Sequence, residues 1–305
     1  MTLKERIEAF SELGHVLRVS TEGGPSAHVQ YLEKVIHNQQ FINPWFTPDN
    51  VRMAIKAIAM ELTKENLKKW TDNYPDLEGG RKRGSVAVIM AGNIPLAGFH
   101  DYLSVLISGF DLIAKTSSKD PELIVAVHDI LSEINSEYSQ KVKFAEGHIS
   151  GFDYVIATGS DNSSRYFEYY FGRYPHIIRK NRNSIALIEG DETDHDLKML
   201  GSDVFSYFGL GCRNVSKIYI PEGYDLSRIL NTWKDYSRIA DHTKYANNYD
   251  FNKAVYLVNQ TRFMDTGFLL IKEDQEISSP VAVLYYEYYK SFKTVLRKTE
   301  TMKDK

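Results

Sequence analysis

The stretch SVAVIMAGNIPLAGF, residues 85–99, shows most directly what kind of fold the chain adopts. It opens with SVAVIMA, a short apolar run bounded by turn residues, which predicts a strand buried in a parallel sheet. Gly92 and Asn93 follow this run, and residues 95–109 have the apolar spacing of a helix. Strand, turn and helix in this order begin an alternation that the chain then continues.

The segments after residue 110 repeat this order. Strands are predicted at DLIAKT (111–116), VKFAEG (142–147) and DYVIATGS (153–160), with helices at ELIVAVHDILSEINSEY and SSRYFEYYFG. After HIIRKN the pattern restarts with NSIALIE (183–189), a helix over about 194–208, VSKIYIP, two helical stretches, TGFLLIKE (266–273) and VAVLYYEYY. The alternation predicts an α/β fold with two doubly wound, Rossmann-like domains.

The first eighty residues are predicted to be helical. LKERIEAFSELGHVLR has apolar residues at helical spacing, and TPDNVRMAIKAIAMEL opens with Thr47 as a cap and Pro48 in the first helical position. We therefore expect one domain over 1–181, which includes this helical segment, and a second domain over 182–305, which ends in the charged tail RKTETMKDK.

Composition narrows the class of protein. Apolar residues make up 43% of the chain and charged residues 25%, with a net charge of -3, so nucleic acid is not expected as the main partner. No apolar run approaches the roughly 18 residues of a membrane span. A single cysteine cannot form an internal disulfide, and MTLKERIEAF lacks the apolar region of a signal peptide. A cytoplasmic location is therefore expected.

Three predicted strand ends carry polar residues, and the carboxyl ends of parallel strands line the crevice where ligands bind. Asn93 offers an amide for an oxyanion, or it caps the next helix. Lys115 is followed by TSSKD, which fits a ligand site or a solvated loop. Residues 158–160, Thr-Gly-Ser, precede a predicted helix and suit a phosphate, although helix capping by Ser160 or Asp161 explains the same residues.

Cys212 lies in a glycine-containing turn, GLGC, between a predicted helix and a predicted strand. Such a turn leaves the thiol accessible, and the adjacent Arg213 favours the thiolate, whereas many lone cysteines are inert. The GLGCRN segment is not a dinucleotide fingerprint, because that motif needs strand, turn and helix in this order. His195 and His242 are isolated, so no metal site is expected, and no GxSxG segment supports a serine triad.

Taken together and in order, segments between about residues 85 and 290 resemble the aldehyde dehydrogenase superfamily. The resemblance is closer to its fatty acyl-CoA reductase branch, which supplies long-chain aldehyde in bacterial luminescence. The similar segments are GNIPL at 92–96 (NFPL in the superfamily), AKTSS at 114–118 (VKPSE), ATGS at 157–160 (FTGS), the cysteine at 212, and QEISSPV at 275–281 (EEIFGPV).

The resemblance implies a helical segment plus a dinucleotide-binding domain over 1–181, and a catalytic cysteine domain over 182–305 that is truncated at its carboxyl end. It also implies a role for each matched residue. Cys212 is implied to be the nucleophile and Asn93 the oxyanion-stabilising amide. A nicotinamide cofactor is implied to bind at Lys115, Ser117, Ser118, Thr158, Gly159, Ser160 and Glu276.

Departures from the superfamily pattern refine this expectation. Hydrolytic members carry a water-activating glutamate in an ELGGK segment, whereas this chain has IIRKNRNS and no carboxylate between His176 and Glu189. Ser118 stands where members that prefer NAD have an acidic residue, which favours NADPH over NADH because no carboxylate repels a 2'-phosphate. The segment FGP is replaced by SSP, so the phenylalanine that stacks on the nicotinamide is missing.

The expected activity is NADPH-dependent reduction of a fatty acyl-CoA thioester to aldehyde through an acyl-cysteine. Acyl-CoA or coenzyme A is the expected small-molecule partner. A homo-oligomer and fatty-acid reductase partner proteins are open alternatives for assembly. Two other activities also stay open: reduction of an acyl phosphate, and a non-catalytic acyl-binding or interaction role. The aromatic runs YFEYYF and YYEYY fit an acyl tunnel or ordinary core.

Overall fold

The computed structural model describes residues 1–23, 26–78, 84–180 and 182–300, and it does not describe the side chain of Asp161. The glycine-rich segment EGGRKRG at 78–84 and the charged tail RKTETMKDK at 297–305 therefore lie partly outside the described residues. The chain divides into two compact units, Met1–Lys180 and Asn181–Lys305.

Helices and strands alternate along most of the chain. The helices are α1 (Leu3–Glu22), α2 (Ala27–Ile42), α3 (Pro48–Glu61), α4 (Lys64–Thr71), α5 (Phe99–Ile107), α6 (Leu123–Ile134), α7 (Tyr138–Lys141), α8 (Asp161–Phe171), α9 (Asp194–Phe205), α10 (Ser227–Thr232), α11 (Thr243–Val258) and α12 (Phe292–Glu300). The strands are β1 (Ser85–Ile89), β2 (Asp111–Lys115), β3 (Val142–Phe144), β4 (Tyr154–Thr158), β5 (His176–Arg179), β6 (Ser184–Leu187), β7 (Val215–Pro221), β8 (Met264–Asp265), β9 (Leu270–Glu273) and β10 (Val283–Tyr289). Short 3₁₀ segments lie at Pro75–Glu78, Ser206–Gly209 and Trp233–Asp241.

The first unit contains a parallel sheet in the order β3-β2-β1-β4-β5. The chain leaves β1 toward β2 and β3 on one side and returns to β4 and β5 on the other. The strand order therefore reverses between β1 and β4, where doubly wound sheets bind ligands. The predicted parallel α/β sheet is confirmed.

The helical segment at the start of the chain belongs to the core of this unit. Thr47 accepts a hydrogen bond from Asn50 N at 3.3 Å and Pro48 opens α3, as the sequence predicts. Phe10 of α1 is fully buried, and its ring contacts Tyr102 of α5 and Tyr138 of α7 edge-on. Helices and sheet thus bury one common apolar cluster.

The second unit contains a sheet in the order β6-β7-β10-β9-β8. Four of its strands are parallel, while β8 pairs with β9 antiparallel at one edge. Trp233, Leu197 and Ile218 are among its most buried apolar residues. Trp233 Nε1 donates to Leu197 O at 2.7 Å, which fixes the indole inside this core.

Several predicted element boundaries were wrong, and three of them adjoin loops or turns of interest. The helix predicted over 95–109 begins only at Phe99, because Leu96 has a left-handed backbone with φ 56°. The helix predicted to reach residue 208 ends at Phe205, since Tyr207 and Phe208 are left-handed with φ 52° and 59°. The strand predicted over 266–273 is confined to Leu270–Glu273, and a turn precedes it.

Candidate active site

The candidate residues of the first unit lie at one edge of its sheet. Ile89 at the end of β1 is level with Lys115 on β2 and with Ala157 on β4. Asn93 follows β1 and Thr158 ends β4, so the three loops that carry the candidates begin side by side. The structure therefore brings together the strand ends that the sequence singled out.

The loop after β1 is tightly held. A Cβ at Gly92 would lie 2.4 Å from Ser117 Oγ, so only glycine permits this approach of the two loops. Leu96 N donates to Asp120 Oδ2 at 2.8 Å, although Leu96 adopts a left-handed conformation that costs free energy for a residue with a Cβ. Helix α5 has Gly98 as its N-cap, so the interpretation of Asn93 as the cap of this helix was wrong.

Asp120 is the buried anchor of this loop, and the sequence reasoning passed over it. It is 5% exposed, and its Oδ1 has no hydrogen-bond partner among the described residues. Burial raises the pKa of Asp120 to about 6, while the hydrogen bond from Leu96 N opposes the rise. Only its position between the lysine at 119 and Pro121 could have drawn attention to it.

Lys115 and the two serines after it continue the same edge. Lys115 Nζ donates to Glu146 O at 2.8 Å and to Gly147 O at 3.0 Å, which uses two of its three N–H groups. Ser117 Oγ accepts from Lys119 N at 3.2 Å, whereas Ser118 is exposed.

The loop after β4 leads directly into α8. Ser160 is the N-cap of this helix, and its Oγ accepts from Ser163 N at 3.3 Å, so the capping interpretation of Ser160 is confirmed. Capping by Asp161 lies outside what the structure describes. A Cβ at Gly159 would meet Phe167 Cε2 at 2.9 Å, so glycine is needed for packing here.

One structural observation indicates that this loop suits a nicotinamide dinucleotide. Thr158 Oγ1 is buried and has no hydrogen-bond partner in the described part of the chain. It lies next to the first turn of α8, where backbone N–H groups attract a phosphate. A hydroxyl without a partner beside such a helix start is suited to the pyrophosphate of a dinucleotide.

The turn before β7 carries Cys212, which is exposed. Tyr207, Phe208 and Gly209 precede it in consecutive left-handed conformations with φ 52°, 59° and 74°. The Phe208 ring lies 4.3 Å from the His242 ring, centroid to centroid, which helps to hold this strained backbone. The thiol therefore projects from a turn with little conformational freedom.

The side-chain amide of Asn214 holds the Cys212 turn through two hydrogen bonds. Its Oδ1 accepts from Gly211 N at 2.7 Å, and its Nδ2 donates to Asp203 O of α9 at 2.8 Å. The asparagine is 8% exposed, and Ser184 Oγ of β6 donates to Cys212 O at 3.1 Å. The sequence reasoning missed Asn214, and its place two residues after the cysteine was the only available signal.

Glu276 lies in the loop between β9 and β10 and is exposed. Its backbone N–H donates to Asp274 Oδ1 at 3.0 Å. The candidates thus fall into two sets, with Asn93, Lys115 and residues 158–160 in the first unit and Cys212 and Glu276 in the second.

Among the described helices, none is long and apolar enough to cross a membrane. Among the described side chains, no group of three or more His, Cys, Asp or Glu is placed to hold a metal ion.

Solved structures identify the fold. The chain superposes on an NAD+ complex of an aldehyde dehydrogenase from Bacillus cereus with a TM-score of 0.66 and 11% identity, over 98% of this chain and 69% of that one. It also superposes on an indole-3-acetaldehyde dehydrogenase from P. syringae, in complex with NAD+ and IAA, with a TM-score of 0.67 and 13% identity, over 97% and 69% of the two chains. The protein has the aldehyde dehydrogenase fold.

Two curated relatives are named for a narrower activity than the solved structures. A long-chain acyl-protein thioester reductase from Aliivibrio fischeri is 21% identical over 69% of this chain and 47% of its own length. Long-chain acyl-protein thioester reductase 2 from Photobacterium leiognathi is 25% identical over 50% of this chain and 36% of its own length. The match thus spans less than half of each relative. No family model matches the chain. The predicted resemblance is confirmed.

Proposed function

We propose that this chain reduces an acyl thioester to an aldehyde with a nicotinamide cofactor, through an acyl-enzyme at Cys212. The observation that carries the proposal is the exposed Cys212 in its strained, hydrogen-bonded turn on an aldehyde dehydrogenase fold. The names of the curated relatives support an acyl thioester as the substrate class.

In the acylation step the Cys212 thiolate attacks the thioester carbonyl. The C–S bond to the departing thiol breaks, that thiol takes up a proton, and the acyl group stays on Cys212. The side-chain amide of Asn93 donates to the oxyanion that develops on the carbonyl oxygen. Asn93 is exposed, and it lies in the loop whose Leu96 N donates to Asp120.

Lys115, Ser117, Ser118, Thr158, Gly159, Ser160 and Glu276 would hold the cofactor. When bound, the nicotinamide cofactor supplies the hydride that converts the acyl group to the aldehyde. NADPH is favoured because Ser118 and Lys119 are exposed at the end of β2, while the neighbouring carboxylate, Asp120, is buried. NADH stays as the alternative.

The residues at the end of β5 favour transfer of the acyl group to a thiol rather than to water. Arg179 ends this strand, and its Nη1 donates to both carboxylate oxygens of Asp101 at 2.7 Å. Asp101 is 8% exposed and is already engaged by this guanidinium. The stretch between His176 and Glu189 contains no carboxylate that could activate water, which favours an acyl-enzyme that resists hydrolysis.

Acyl-CoA is the proposed donor, with an acyl-protein thioester as the second source of the same chemistry. A cytoplasmic location belongs to the same proposal, since a protein with one cysteine needs no oxidising compartment. Fractionation of cells that express the tagged chain tests the location. Size-exclusion chromatography with light scattering tests the homo-oligomer, and co-purification tests reductase partner proteins.

The decisive experiment traps the acyl-enzyme. The chain is incubated with long-chain acyl-CoA in the absence of cofactor, and intact mass is measured before and after neutral hydroxylamine. Because Cys212 is the only cysteine, a hydroxylamine-sensitive acyl adduct in the wild type and none in Cys212→Ala is expected. An adduct that persists in Cys212→Ala contradicts the proposal.

Oxidation of NADPH at 340 nm tests turnover. Acyl-CoA of increasing length, an acyl-protein thioester and an acyl phosphate are compared, with NADH as the second cofactor. Activity with acyl phosphate but with neither thioester supports the acyl phosphate reductase alternative. Binding of acyl-CoA without turnover supports the non-catalytic alternative. For Asn93→Ala we expect a loss of about 10² to 10³ in kcat, with cofactor binding little changed.

A further inference from the structure

Lys217 is a lysine in the middle of the second unit's sheet. It lies on β7, between β6 and β10, and is 0% exposed. Burying an ammonium group costs free energy unless partners replace its water. Desolvation lowers the pKa of Lys217, and the contact with Glu287 opposes this. The burial of this side chain therefore calls for a role that an apolar residue could not fill.

The ammonium group has three close acceptors. Lys217 Nζ donates to Asp274 O at 2.8 Å, to Gln275 O at 3.0 Å and to Glu287 Oε2 at 2.6 Å. Two of the three are consecutive backbone carbonyls immediately before Glu276. Charge pairing with Glu287 alone does not explain this arrangement, because Lys298 Nζ already contacts both Glu287 oxygens at 2.6 and 2.7 Å.

The same loop is attached to β7 at a second point. Ser216 Oγ donates to Ile277 O at 2.7 Å, on the far side of Glu276. The backbone is therefore held on both sides of Glu276, while Glu276 itself is exposed. Strand β7 begins three residues after Cys212, so the anchors of the loop lie on the strand that the cysteine turn leads into.

We propose that Lys217 is a positioning residue that holds the Glu276 loop in the conformation that binds the cofactor. The inference rests on the proposed function, in which Glu276 contacts the cofactor. Hydrogen bonds from a buried ammonium group fix the two carbonyls before Glu276. The loop then loses little further conformational entropy when the cofactor binds.

The test compares Lys217→Met with Lys298→Met. Each variant removes one of the two ammonium groups on Glu287, but only the first removes the donors to residues 274 and 275. Lys217→Met is expected to raise the KM for the cofactor by about tenfold or more, since a misplacement of about 1 Å can cost on the order of a hundredfold. The rate of Cys212 acylation by acyl-CoA without cofactor should stay within about twofold, and Lys298→Met should match the wild type in both.

Hydrogen–deuterium exchange of a peptide covering residues 274–278 provides a second readout. Faster exchange is expected in Lys217→Met and wild-type exchange in Lys298→Met. Should Lys217→Met unfold, Lys217→Gln, whose amide can still donate to one of the two carbonyls, is expected to change exchange and cofactor KM in the same direction but by less. Unchanged exchange and cofactor KM in the folded variant, or equal effects in Lys298→Met, overturn the inference.

The two proposals fail in different ways. If the wild type binds no nicotinamide cofactor, the proposed function is wrong, while the exchange experiment still decides whether Lys217 holds the loop. If the wild type turns over and Lys217→Met leaves the cofactor KM unchanged, only the role of Lys217 is wrong.

Discussion

Replacing Asp120 by asparagine changes how stability depends on pH. In the folded chain Asp120 keeps its proton up to about pH 6, because burial raises its pKa from 3.8 to about 6. The unfolded chain releases this proton near the ordinary value. The folded state thus binds more protons between these two values, so the free energy of unfolding falls as pH rises from about 4 to 6.

The size of this effect follows from the two pKa values. The rise from 3.8 to about 6 corresponds to about 3 kcal/mol. Of this, about 2 kcal/mol is expected between pH 4.5 and 7.5. Asparagine does not titrate and still offers an oxygen to Leu96 N, so Asp120→Asn should gain about 2 kcal/mol relative to the wild type over this range.

The assay follows unfolding of the first unit alone. Urea titrations at pH 4.5 and 7.5 are read by hydrogen–deuterium exchange of a peptide that contains β1, because the two units need not unfold together. Subtracting wild type from variant cancels the pH effects of all other groups. A difference that stays constant within about 0.5 kcal/mol refutes the assignment of a raised pKa to Asp120.

Three further variants probe the loops. Asn214→Ala leaves the amide of Gly211 and the carbonyl of Asp203 without their partners, so a loss of about 1 to 3 kcal/mol is expected in thermal unfolding, and an unchanged midpoint would count against the anchor. Thr158→Val should leave stability unchanged, because Oγ1 has no partner in the described structure, but it should weaken the binding of NADPH measured by calorimetry. Equal affinity for NADPH would remove this hydroxyl from the cofactor site. Ser118→Asp should raise the preference for NADH in kcat/KM by about tenfold, and an unaltered ratio disproves the specificity argument.

The sequence was sufficient for β1, β2 and β4 and for the edge where their ends meet, whereas β5 at His176–Arg179 was not predicted. SVAVI, DLIAK and YVIAT are apolar runs closed by turn residues, and a buried parallel strand is the structure that such runs satisfy. The parallel order then places the three loops together without further information.

The conformation of the loops could not be predicted from the sequence. Leu96, Tyr207 and Phe208 adopt left-handed backbones that their side chains disfavour, so local propensity indicates helix at these positions. The contacts that hold such backbones come from distant residues, as when Leu96 N donates to Asp120 across 24 positions. A pattern confined to neighbouring residues contains no trace of these contacts.

Three of the loops that carry candidate residues share one physical arrangement, in which an exposed candidate side chain is carried by backbone that a buried polar side chain holds. Asn214 holds the turn of Cys212, Lys217 holds the loop of Glu276, and Asp120 holds the loop after β1. These anchors are 8%, 0% and 5% exposed, so water cannot easily replace their hydrogen bonds. A loop fixed from its buried side keeps its outer side chain accessible and still ordered, which is what a site requires when it binds charge without reorganising. Substitution of an anchor should therefore weaken binding or turnover even though the anchor itself does not contact the ligand.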